Sequence, residues 1–251
     1  MVKFIILGSS NAIPDEHHEN THMAITSNDR AVLIDCGNSP TLRLRQVGIS
    51  LDNLTDIILT HFHPDHISGF PTLLMNMWLL GRSAPLNIHG LKHTLDRVER
   101  MMESFDWDSW PNFFSVTFHV IAEDEMALVL EGEELKINSS PVQHMIPTIG
   151  LRIEQSSNHK VLAYSCDTSP CQSVIDLARG ASVLIHESSG DSMGHTSASQ
   201  AGEIATKAGV EILYLIHYPT GNNNTQKLVE QARTNFTGFV DLARDFMEIE
   251  L

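Results

Sequence analysis

Residues 57–66 read I-I-L-T-H-F-H-P-D-H, an apolar run that reads as a buried strand and ends in a loop carrying His61, His63, Asp65 and His66. Imidazole is the commonest ligand for transition metals, and a carboxylate adds a harder oxygen donor. In an extended segment, residues two apart point the same way. His61 and His63 can therefore grip one ion together, while Asp65 and His66, past the bend, serve a second beside it. One loop cannot fill two coordination shells, so the fold must bring further strand ends to the same place. Three candidates stand at the ends of apolar strands: His144 after residues 134–142, Asp167 in S-C-D-T after residues 161–166, and His217 in L-I-H-Y after residues 212–216.

The rest of the chain fits a layered α/β architecture. Short apolar runs bounded by Gly, Pro, Asn and Asp predict strands over 2–7, 31–34, 56–59, 86–89, 116–121, 126–130, 134–138, 149–153, 161–165, 183–186 and 212–216. Helical spacing is clearest over 69–80, 91–105, 170–177, 197–208 and 225–235. A meander of strands in the first half, and strands alternating with helices in the second, suggests two sheets with helices on their outer faces. No repeat of solenoid period and no low-complexity linker divides the chain, so residues 1–251 read as one domain. The acid-rich stretch 123–134 reads as a solvated hairpin. Trp107, Trp110, Phe113 and Phe114 read as local packing in preference to a pocket lining.

Composition removes several classes. With 42% hydrophobic and 19% charged residues the chain is globular, not disordered. A net charge of −15 would repel a polyanion over the general surface, so nucleic-acid binding would need a local basic patch or the metals themselves. Cys36, Cys166 and Cys171 are an odd, irregular set that argues against a disulfide framework and for reduced thiols in the cytoplasm. No stretch approaches roughly 18 uninterrupted apolar residues, so no membrane span is expected. The opening apolar run is too short for a secretory leader.

With these residues on the page the sequence resembles the metallo-β-lactamase superfamily, and within it the ribonuclease Z-like branch. The resemblance is carried by F-I-I-L-G-S-S-N-A-I-P near the start, V-L-I-D-C-G at 32–37, T-H-F-H-P-D-H, and L-I-H-E-S-S…G-H-T-S-A-S-Q-A-G-E-I-A from 184 onward. It covers nearly the whole chain and implies a four-layer αββα sandwich. It implies one metal on His61, His63, His144 and Asp167, a second on Asp65, His66, His217 and the bridging Asp167, and a structural role for Asp35. Shells of imidazole and carboxylate without thiolate fit two divalent ions, zinc first, with manganese or iron as alternatives. The resemblance also implies that Glu187 and His195 act together, His195 giving a proton to the leaving group. Without it, His195 reads only as a turn residue before a helix capped by Thr196 or Ser197.

A hydroxide bridging two metals suits hydrolysis of a phosphate ester, with Asp65 orienting it as well as binding metal. The pattern departs from the transfer-RNA-processing members in two ways. Only 22 residues separate His144 from Asp167, enough for a hairpin and too few for an RNA-gripping arm. The tail after His217 is Y-P-T-G in place of the usual Ser-x-Arg-Tyr-like pattern. The expectation is a metal-dependent phosphodiesterase acting on a small or flexible phosphodiester. A true ribonuclease Z, a sulfatase or other ester hydrolase, and a non-enzymatic metal-binding module are the alternatives. His17, His18 and His22 read as loop residues after the first strand, and His186 as a packed strand residue. The Met-rich run 70–80, with Met75, Met77, Trp78 and Leu79, is a candidate homodimer surface or core.

Overall fold

Apolar side chains on both faces of a strand require cover on both sides, and these strands obtain it in three separate interfaces. The computed structural model describes residues 2–221 and 225–251. The first half supplies strands β1 (Lys3–Gly8), β2 (His22–Thr26), β3 (Ala31–Ile34), β4 (Asp56–Leu59), β5 (Leu86–Leu91) and β6 (Val116–Ile121). Between them lie helices α1 (Pro40–Gln46), α2 (Pro64–Ile67), α3 (Phe70–Leu79) and α4 (Lys92–Glu103). The second half supplies β7 (Ala127–Glu131), β8 (Leu135–Val142), β9 (Thr148–Gln155), β10 (Val161–Tyr164), β11 (Val183–Glu187), β12 (Ile212–Ile216) and β13 (Phe239–Leu242). Helices α5 (Gln172–Ala178), α6 (Ala198–Ala208) and α7 (Gln226–Arg233) join them, and β14 (Glu248–Glu250) returns to the first sheet beside β1.

The sheet orders are β14-β1-β2-β3-β4-β5-β6 and β13-β12-β11-β10-β9-β8-β7. In each sheet an antiparallel meander leads into a parallel run: β3 to β6 in the first, β10 to β13 in the second. Alternation sorts the side chains. Phe4 and Ile6 of β1, Ile58 of β4 and Leu162 and Tyr164 of β10 meet between the sheets. Ile5 and Leu7, with Ile57 and Leu59, face α1, α3 and α4. Val161, Ala163, Leu184 and Leu215 face α5, α6 and α7. Three apolar interfaces between four layers make the αββα sandwich of the metallo-β-lactamase fold.

The structure amends the sequence reading in several places. Both halves, not the first alone, begin as a meander. Strands β2, β13 and β14 and helix α1 were not expected, and of the two ends read for the strand before His144, 138 and 142, the structure takes Val142. Residues 123–134 do belong to a hairpin, as the lead-in, strand β7 and the turn to β8, and are largely solvated except for the buried Leu130. Trp107 and Phe114 enter the core, with Trp110 and Phe113 packed against it. In α3, Met77 is core and Trp78 stacks on Trp110, ring centroids 4.9 Å apart, while Leu79 is exposed. Among the described residues no helix is long and apolar enough to cross a membrane.

Candidate active site

The parallel strands of both sheets end at one edge of the sandwich, where an open α/β sheet offers a crevice. Thr60 and His61 follow β4, Cys166 and Asp167 follow β10, Glu187 ends β11, His217 follows β12, and His144 follows β8. Several of these junctions are bent sharply. Asp35 (φ 61°), Cys166 (φ 54°) and His217 (φ 53°) adopt left-handed backbone just past their strands. A non-glycine residue there costs about 1–3 kcal/mol and persists only where surrounding contacts hold it. Asp65 and His66 stand on the single-turn helix α2, which Pro64 opens directly after His63. Gly69, beginning α3, lets that segment lie on the loop after β3, because a Cβ there would overlap the Gly37 carbonyl.

All seven residues expected as metal ligands come together. His63 Nδ1 lies 3.1 Å from both His61 Nε2 and His144 Nε2. Asp167 Oδ2 lies 4.0 Å from His61 Nε2 and 3.9 Å from His144 Nε2. The same oxygen is 3.6 Å from His66 Nε2 and 3.2 Å from His217 Nε2. Asp65 Oδ2 completes this second group, 3.6 Å from His66 Nε2 and 3.9 Å from His217 Nε2. Four donors around an ion at 2.0–2.1 Å stand about 3.3 Å apart in a tetrahedron. The donor separations, 3.1–4.0 Å, straddle that spacing, and Asp167 Oδ2 lies within 4.0 Å of histidine nitrogens in both groups. His66 Nε2 and Asp167 Oδ1 are buried with no hydrogen-bond partner. Buried polar atoms are rarely left so, and a cation held by this cluster would satisfy them.

The reverse sides of the rings fix which nitrogen faces the cluster. Thr60 donates its hydroxyl proton to Asp35 Oδ2 (2.7 Å), so its oxygen accepts from His61 Nδ1–H (3.1 Å). Thr21 donates to the Ser10 carbonyl (2.9 Å) and accepts from His217 Nδ1–H (3.1 Å). His66 Nδ1–H donates to Asp35 Oδ2 (2.8 Å), and His144 Nδ1–H to the Gly194 carbonyl (2.7 Å). Four Nε2 lone pairs are thereby aimed at the donor groups, the usual device for orienting metal-binding imidazoles.

The charges suit a cation. Burial holds His61, His63 and His144 below the ordinary histidine range, so all three are neutral at pH 7. Burial opposes the charged form of Asp167, but His217 and His66 outweigh it and keep the carboxyl well below its usual range. Burial also opposes charge on His66, yet Asp167 and Asp35 push its pKa well above the usual value. A divalent ion would take the place of that proton between the carboxylates.

Glu187 and His195 meet at the rim. His195 Nδ1–H donates to Glu187 Oε1 at 3.2 Å, and that oxygen also accepts from Thr196 N–H at 2.8 Å. Glu187 Oε2 accepts from Ser189 N–H at 2.7 Å. The His195 ring lies 5.1 Å from that of His144 and 6.0 Å from that of His217, centroid to centroid, and is partly open to solvent. The hydrogen bond to Glu187 raises the His195 pKa against the effect of burial. Ser197 caps α6 in a reciprocal box with Gln200, so the cap and the Glu187 contact coexist.

Other sequence readings divide. His22 is not a loop residue: it opens β2, fully buried. His186 is buried in β11, as expected, its Nδ1–H on the Glu187 carbonyl at 2.8 Å. Sequence reasoning missed Cys166, whose Sγ lies 3.7 Å from His61 Nδ1 and close to the donors of His61 and His66. Its place directly before Asp167 was the available signal. Thr21 was also missed, with nothing in its local sequence to mark it, and no role was read for Thr60 and Gly194, although both stand inside the motifs T-H-F-H-P-D-H and G-H-T-S.

A fold of this class with this site defines a metal-dependent hydrolase of the metallo-β-lactamase superfamily, ribonuclease Z-like in its motifs. The chain belongs to the family described as Anti-Pycsar protein Apyc1, whose model matches residues 2–246. It is 28% identical over 306 residues to a ribonuclease Z of Methanothermobacter thermautotrophicus, covering 100% of this chain and 97% of that protein. In structure it is similar to the metallo-β-lactamase fold protein YhfI of Bacillus subtilis, with TM-score 0.85, 23% identity and 99% and 98% of the two chains covered. It is also similar to the short form of human tRNase Z, with TM-score 0.79, 22% identity and the same coverage, 99% and 98%.

Proposed function

We propose that this protein is a phosphodiesterase that binds two divalent ions, zinc first among them, and hydrolyses a small or flexible phosphodiester. The observation that carries this reading is the Glu187–His195 pair set beside the shared oxygen of Asp167. A site that only held metal would have no use for a buried carboxylate holding an imidazole by Nδ1 at its rim and raising its pKa. His61, His63, His144 and Asp167 would hold one ion, and Asp65, His66, His217 and Asp167 the other. Bound there, the ions would supply Lewis acidity toward the phosphoryl oxygens and activate a water for attack.

The chain's own groups do the rest. Asp65, partly exposed at the rim of the donor cluster, orients the attacking water. Glu187 holds His195 by Nδ1 and favours its protonated form, leaving Nε2 to protonate the departing alkoxide. Among the described residues no lysine or arginine pairs with Asp65, Asp167 or Glu187, so the substrate's charge falls to the ions. That arrangement and the net charge of −15 favour a small substrate over RNA. Three free thiols fit a cytoplasmic setting.

The test compares wild type and His195→Ala, both zinc-loaded, on two substrates. With the dinucleotide TpT, whose leaving group is an alkoxide, His195→Ala is expected to lose about 10²- to 10⁴-fold in kcat. With bis-p-nitrophenyl phosphate, whose leaving group needs little protonation, the loss is expected to be small. A protein that ignores both substrates and turns over a sulfate or carboxylic ester would end the phosphodiesterase reading. Ribonuclease Z activity is the second reading, favoured by the 28% identical relative. Against it, the interval from His144 to Asp167 is filled by β9 and β10. Specific cleavage of a precursor transfer RNA would establish it.

A further inference from the structure

Ser169 lies two residues beyond Asp167 and is not among the donors, yet it joins three segments of the site. Its N–H donates to the Gln143 carbonyl (2.7 Å), immediately before His144. Its Oγ accepts from Gly194 N–H (3.1 Å). The Gly194 carbonyl in turn accepts from His144 Nδ1–H (2.7 Å), and the next residue is His195. Gly194 is left-handed (φ 81°), and a Cβ there would fall 2.8 Å from His144 Nδ1, so glycine alone lets the loop come this close. Thr168 braces the same junction, accepting from Gln143 N–H (3.2 Å) and, through its carbonyl, from the Thr196 hydroxyl (2.6 Å).

We propose that Ser169 is a positioning residue that sets the loop 192–196, so that one contact fixes both the orientation of His144 and the place of His195. The loop's other anchors lie to either side, at Ser192 and at Thr196, whose N–H and hydroxyl reach Glu187 and the Thr168 carbonyl, and Ser169 is the contact at Gly194 itself. Gly194 is buried, so its N–H has no water to turn to once the hydroxyl is gone. Moving the loop to satisfy it withdraws the carbonyl from His144 and shifts His195 against Glu187. The proposal rests on the reading of His195 as proton donor for its catalytic half. Its metal half, through His144, stands apart from that reading.

The test uses Ser169→Ala and Ser169→Thr, with His195→Ala as reference, each checked for native near-ultraviolet circular dichroism. Zinc retention is measured by competition with a chromophoric chelator, and kcat on TpT and on bis-p-nitrophenyl phosphate. Ser169→Ala is expected to hold one of its zinc ions about 10- to 100-fold more weakly, the range seen when a partner of a metal-bound histidine is lost. It is also expected to lose far more activity on TpT than on the activated ester, and Ser169→Thr, which keeps the hydroxyl, to recover both properties. Unchanged zinc retention, or equal losses on the two substrates, overturns the proposal, as does a threonine variant no better than alanine. If His195→Ala itself shows no selective loss on TpT, the proton-donor reading fails. Zinc retention then still decides whether Ser169 orients His144.

Discussion

At the scale of single residues, the site is a set of imidazoles whose proton positions are dictated from behind. Thr21 shows this most simply. The residue is 1% exposed, and its hydroxyl gives its proton to the Ser10 carbonyl and accepts one from His217. Thr21→Val keeps the shape and removes both bonds. The expected result is one zinc ion held about 10- to 100-fold more weakly while the other is unaffected, read by chelator competition. Equal affinity for both ions in the variant would show that His217 needs no such partner. The residues of the cluster were legible in the sequence because four stand in one loop after the apolar strand β4 and the other three follow the apolar strands β8, β10 and β12. Of their partners, Asp35 was legible and Thr60 stood inside the motif T-H-F-H-P-D-H, but Thr21 and the Gly194 carbonyl were not, because hydroxyls and carbonyls are common everywhere and these two lie far off in the chain. Thr21 is 196 residues from His217, and Gly194 is 50 from His144.

At the scale of elements, α6 carries the strongest local signal in the molecule. Ser197 accepts from Gln200 N–H, the Gln200 side chain returns the bond, and Gly209 ends the helix in left-handed backbone. Ser197→Ala is expected to cost about 1 kcal/mol of stability, measured as a shift in the urea midpoint without change in slope. A variant as stable as wild type would mean that packing alone holds the start of α6. Elements with such signals, or with unbroken apolar runs like those of β4, β10 and β12, were read correctly. β2 escaped because H-M-A-I-T is buried almost throughout and starts with a histidine, so it shows neither alternation nor a clean apolar run. Helix α1 escaped because only Pro40 and Leu44 of its residues are buried. β14 is three residues, E-I-E, and exists as a strand only because β1 offers it an edge.

At the scale of the whole molecule, burial of neutral histidines makes stability depend on acidity. Burial lowers His186 to about 4 and His22 to about 4, from 6.5. Between those values the unfolded chain binds protons that the folded chain refuses. Stability is therefore fully present above pH 6.5 and lost as the pH falls toward 4. At pH 5 each of these histidines should have withdrawn about 2 kcal/mol. Urea unfolding in the presence of a chelator should show wild type losing about 2 kcal/mol more than His186→Phe between pH 7 and pH 5. The lost bond to Glu187 is a constant that cancels in that difference. Parallel pH dependence in the two proteins would show that His186 titrates normally. The net charge of −15 is also a property of the whole, and it acts on which polyanions approach, not on the fold.

The donors are spread from His61 to His217 and come from both sheets, with His217 held in place by a bond from its N–H to the Ser9 carbonyl. A chain still being made on the ribosome therefore carries His61, His63, Asp65 and His66 long before it can close a centre around them. Only when β12 has joined its sheet and the loop after β1 has settled against it do all the ligands face one another. Nascent and prematurely ended chains therefore lack the assembled cluster on which the proposed activity rests.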